Sequence, residues 1–73
     1  MGTDRELSWR ASDAVAYEQM RQLSDLLVAR MIMTDRPRAL AIRRDTFAID
    51  GFDRPAIDRR SREVADMLRE VLA

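Results

Sequence analysis

Apolar residues recur at helical spacing through most of this chain, and two copies of the tripeptide Asp-Arg-Pro punctuate the pattern. From Asp13 to Met33 no glycine or proline intervenes. Within that stretch Ala16, Met20, Leu23, Leu27 and Met31 follow one another at intervals of four, three, four and four. Such intervals line up side chains on one face of an α-helix, so the spacing predicts a helix over 13–33. Val15, Tyr17, Leu26, Val28 and Ile32 widen that face beyond what one small neighbour could cover, which implies contact with more than one helix. The polar face carries Glu18, Arg21, Gln22, Asp25 and Arg30, with Glu18–Arg21 and Asp25–Arg30 close enough in sequence to pair.

The tripeptides Asp35-Arg36-Pro37 and Asp53-Arg54-Pro55 both read as helix starts. Aspartate caps the free N–H groups of a first turn, and proline fits there because its missing N–H would have had no intrahelical partner. Beyond the second copy, Ile57, Val64, Leu68 and Val71 form a stripe with Ala65 and Leu72 beside it. Ser61 interrupts the stripe and Met67 lies off it. A helix over 54–72 follows. The middle segment supports two readings. As a helix over 36–49 it sets Ala39, Ile42, Thr46 and Ile49 on one face, flanked by Leu40 and Phe47, and Gly51 supplies the left-handed residue that ends many helices. As a hairpin it pairs residues 40–42 with 46–49. Helix is favoured, because Ala39, Leu40 and Ala41 are poor strand formers. The expected fold is therefore an all-α, small three-helix bundle; the alternative is α+β, with a short central hairpin between two helices.

Upstream of Ser12, a candidate N-cap followed by Asp13, residues 1–11 are expected to form a loosely ordered lead-in to a single helical domain spanning 12–73. Thr3 to Glu6 make a capping-box pattern there. Trp9 is the one lead-in residue expected to pack, since leaving an indole exposed forgoes a large apolar contact.

Composition narrows the functions. A chain of 73 residues is one small domain, and domains of this size have marginal cores that oligomerisation commonly supplements. Cysteine and histidine are both absent, which removes disulfides, thiolate metal sites and the usual general base. The hydroxyls of Ser8, Ser12, Ser24 and Ser61 have no histidine or lysine to activate them. No enzymatic role, cofactor or metal is expected. A calcium loop around Asp45, Asp50 and Asp53 fails, because its pattern needs oxygen ligands where Ala48 and Ile57 stand. The N-terminus lacks the apolar core of a signal peptide, and the longest apolar run, Leu26 to Ala29, is too short to span a membrane. A cytoplasmic location without membrane contact is the expectation.

All thirteen basic residues are arginines. Arginine suits bidentate pairing with carboxylates and phosphates, but a GC-rich coding sequence also favours it over lysine. Residues 1–35 hold four arginines and six acids, 36–62 eight and four, and 63–73 one and three, so the middle is basic between two acidic ends. On this reading the chain is a small helical protein–protein interaction module, acting through homo- or hetero-oligomerisation. Leu23, Leu27, Met31, Val64, Leu68 and Val71 would form its apolar seam. The methionines fit either role, as adaptable contact surface or as core filling. The alternative is a small helix-turn-helix-like DNA-binding regulator, in the manner of an antitoxin-like repressor. There the turn at Asp50-Gly51-Phe52 precedes a recognition helix, and Arg43, Arg44, Arg54, Arg59, Arg60 and Arg62 are the candidate contacts with nucleic acid or a charged partner. Asp53 and Asp58 at the start of that helix, and the zero net charge, weigh against it.

Overall fold

The structure, a computed structural model, describes the backbone of residues 2–73 and the side chains of residues 12–73. The chain forms three helices, α1 (Gly2–Met31), α2 (Arg36–Phe47) and α3 (Arg54–Leu72), and no strand occurs among the described residues. The bundle expected from periodicity is present and the central hairpin is not. α1 packs against both α2 and α3, while those two make little contact with each other. α1 thus serves two neighbours with part of its wide apolar surface: Val28 and Ile32 pack against the core, while Val15 and Leu26 stay exposed.

Both tripeptides act as helix starts. The Asp35 carboxylate accepts from the Arg38 N–H at 3.2 Å and the Asp53 carboxylate from the Ala56 N–H at 3.1 Å. The long helix differs at both ends from the span 13–33. Its backbone is helical from Gly2, because nothing between Thr3 and Asp13 breaks a helix and Ser12-Asp13 are absorbed as interior positions. The side chains of Thr3, Glu6 and Trp9, on which the capping box and the packed indole depend, lie outside the described residues. At the other end α1 stops at Met31, whose carbonyl accepts from the N–H groups of Thr34 and Asp35 at 3.0 and 2.7 Å. The chain must turn there to bring Asp35 into its capping position.

α2 ends at Phe47, two residues before Ile49. The expected left-handed glycine does not terminate it, since Gly51 has no positive φ. Instead the Ala48 and Ile49 N–H groups bond the carbonyls of Arg44 and Thr46 at 3.1 and 3.2 Å. The Asp50 carboxylate then accepts from the Phe52 N–H at 2.9 Å, which turns the chain toward α3. α3 has the expected span.

The core is built from Met20, Leu27, Met31, Ala39, Ile42, Ile57 and Val64, all buried. Burying a side chain the size of Leu27 or Ile57 contributes about 1.5–3 kcal/mol. On α1 the buried line runs through Asp13, Met20, Ser24, Leu27 and Met31, with Tyr17 half-buried. At 100° per residue, that line is rotated by roughly 40° from the stripe centred on Leu23 and Leu27. Ser24 thus enters the core and Leu23 moves to its margin. On α3, Met67 packs against the core although its spacing set it aside, while Val71 is 42% exposed. The bundle runs out near that residue, because α1 ends at Met31.

Candidate interaction surfaces

Most of the seam expected to meet a partner is occupied within the chain. Leu27, Met31 and Val64 are buried in the core cluster, and Leu23 and Leu68 pack against it. Only Val71 is substantially exposed.

The candidate arginines divide in the same way. Arg54 reaches from the first turn of α3 to α1: its guanidinium donates to Ser12 Oγ at 3.2 Å and to Asp13 Oδ1 at 3.0 Å, and its Nε to Asp58 Oδ1 at 3.0 Å. Asp13 is buried, with 4% of its surface exposed, and Arg54 is the cation that compensates it. Asp13 first, and then Asp58, raise the Arg54 pKa above the ordinary arginine value. A raised pKa favours the fold below the unfolded value and loses its effect as pH rises through the folded one, so this contribution persists through the whole neutral range. The pair ties the first turn of α3 to α1.

Arg60 joins α2 to α3. Its Nε donates to Thr46 Oγ1 at 3.3 Å, one terminal nitrogen donates to the Ile42 carbonyl at 3.2 Å, and the other pairs with Glu63 at 3.1 Å. Thr46 is buried, so this fork satisfies a polar group that the apolar face of α2 carries inward. The helical spacing of α2 turns Thr46 inward, but it does not indicate Arg60, fourteen positions away, as its partner.

The remaining arginines are outside. Arg44 pairs with its neighbour Asp45 at 3.4 Å, both exposed. Arg43 and Arg21 both stack on the half-exposed Phe47 ring, 5.5 and 4.8 Å from its centroid. Stacking of this kind contributes about 0.5–1 kcal/mol at exposed sites. The pairs Glu18–Arg21 and Asp25–Arg30 do not form. Arg59 and Arg62 lie exposed on α3, and no ion pair to either forms among the described residues.

Residues 49–52 connect the C-cap of α2, Ala48, to the N-cap of α3, Asp53. The exposed side of α3 presents Arg59, Arg62 and Arg69 among Glu63, Asp66 and Glu70, an electrically balanced surface.

Among the described residues apolar surface remains open, and two parts of it are recessed. One is a recess of about 260 Å³ between α1 and the α2–α3 turn, lined by Ala14, Tyr17, Gly51 and Phe52 beside the Asp13 carboxylate. Phe52 is 83% exposed at its rim. The other lies on the back of α1, where Gln19, Gln22, Leu23 and Leu26 bound a shallow groove of about 300 Å³. Val15 and Leu26 stand 57% and 56% exposed on that side. Among the described residues, no group of histidine, cysteine, aspartate or glutamate could hold a metal ion, and no helix is long and apolar enough to cross a membrane. No protein-family model, curated protein or solved structure matches this chain.

Proposed function

We propose that this protein is a small helical interaction module that works by self-association. The carrying observation is the back of α1. Buried residues on this helix recur at Asp13, Met20 and Leu27, a seven-residue interval. A second line lies two residues further on, at Val15, Gln22 and Ala29, with Gln19 and Leu26 interleaved, and all five are exposed. Two residues correspond to about 200° around a helix, so the second line points away from α2 and α3. It holds no charged residue, in a chain that is 36% charged. An exposed helix face normally carries charges for solubility, and a charge-free stripe at heptad spacing, with Val15 and Leu26 in it, suits a helix–helix seam.

The DNA-regulator reading has less support. It relies on α3 as a recognition helix, whose exposed charges balance, and on Arg54 and Arg60, which are bonded within the protomer.

Sedimentation equilibrium of the full chain tests the proposal. A reversible dimer is expected in the micromolar range, and a folded monomer persisting to about 100 μM overturns it.

A further inference from the structure

The charges flanking the α1 stripe specify its occupant, an inference that rests on the self-association reading above. In a coiled-coil frame Ser12, Gln19 and Leu26 take the a positions, and Val15, Gln22 and Ala29 the d positions. The g edge then carries Glu18 and Asp25, and the e edge carries Ala16, Leu23 and Arg30. One edge is acidic and the other bears a single arginine. Asp25 and Arg30 are both exposed, and neither forms an ion pair with another described residue.

We infer that the stripe docks a second copy of this chain, with the two α1 helices parallel and in register. A parallel pair brings each g residue against the e residue five positions further along its partner, so Asp25 meets Arg30 of the second copy, twice per dimer. An antiparallel pair brings g against g. Both charged g positions are acidic, so the antiparallel register that overlaps the whole stripe sets Glu18 against Asp25 twice. The stacked layers would be Val15, Gln19, Gln22, Leu26 and Ala29, each against its own counterpart. Paired glutamines at the centre cost strength relative to leucines, but they bond one another only when aligned, which holds the register. The expected dimer is accordingly weaker than a leucine zipper and sharply oriented.

The chain contains no cysteine, so an engineered one is an unambiguous reporter. Val15→Cys and Ala29→Cys are made separately at these exposed positions and equilibrated in a glutathione redox buffer, alone and mixed. Parallel, in-register helices bring like positions within the 4.4–6.8 Å Cα range of a disulfide. Each variant should then crosslink to itself, with no mixed 15–29 product, because those sites lie about 21 Å apart along the helix. In a cysteine-free background, Asp25→Arg should raise the dimer dissociation constant by about 10-fold or more, and adding Arg30→Asp should restore it to within about 3-fold. Unchanged helical circular dichroism confirms that the protomers remain folded. A mixed 15–29 disulfide, the absence of any disulfide, or a failure of the charge swap to rescue overturns this inference. If the wild type still sediments as a dimer, self-association stands and only the surface or orientation is wrong. A monomeric wild type overturns both.

Discussion

Replacing Gly51 with alanine gives opposite outcomes according to how α2 ends. A left-handed glycine closing the helix would make Gly51→Ala costly, because a Cβ in that conformation costs about 1–2 kcal/mol. Gly51 has no positive φ, however. A Cβ built there meets only the Tyr17 ring, at 3.8 and 3.9 Å from Cδ2 and Cε2, which is ordinary van der Waals contact. Alanine therefore fits without strain. It removes backbone freedom from the unfolded chain, which stabilises by about 0.4–1 kcal/mol. In a domain of this size that is a rise in melting temperature of roughly 2–8 °C. The methyl also adds apolar contact with Tyr17. Gly51→Val should lose the gain, because its branched carbons would press on a ring already in contact with Cβ. Urea denaturation of wild type, Ala and Val variants, with the slope held constant, measures the series. A Gly51→Ala protein less stable than wild type by 1 kcal/mol or more would refute the account of this turn.

Neighbouring leucines on α1 should behave oppositely. Leu27 is fully buried and Leu26 is 56% exposed, so Leu27→Ala should cost about 2–5 kcal/mol of folding free energy. Leu26→Ala should stay within about 0.5 kcal/mol at concentrations where the chain is monomeric; equal losses would contradict the orientation of α1. Arg60→Lys keeps the charge but cannot reproduce the fork to Thr46 and the Ile42 carbonyl, so it should cost about 1–3 kcal/mol. Amide hydrogen exchange should show faster opening confined to α2, and unchanged protection there would mean that α2 is held by α1 alone.

The position of Arg60 shows where reading from the sequence stops. The helix starts at Asp35 and Asp53, the span of α3 and the inward face of α2 are local matters. Capping, proline geometry and a 3.6-residue period act within a few residues, so the linear pattern carries them. The rotation of α1 is different. Leu23 and Ser24 are neighbours on the helix, and the more apolar of the two looks like the core residue. Which one enters the core depends on where α2 and α3 lie, and the Asp13–Arg54 pair, formed between residues 41 positions apart, helps to set that placement.

The same holds for the surfaces. That α1 is apolar on too many sides for one neighbour follows from its composition and period alone. The stripe through Met20, Leu27 and Met31 is the more apolar side and does meet the bundle, but the spacing alone does not show whether Val15 and Leu26 are covered as well. Packing of α2 and α3 chose the line through Met20 and Leu27, and so left Val15, Gln22 and Leu26 facing outward. A short chain determines its own helices by interactions a few residues long. How those helices face one another is decided by contacts between distant residues, and the surface left for a partner is decided with them.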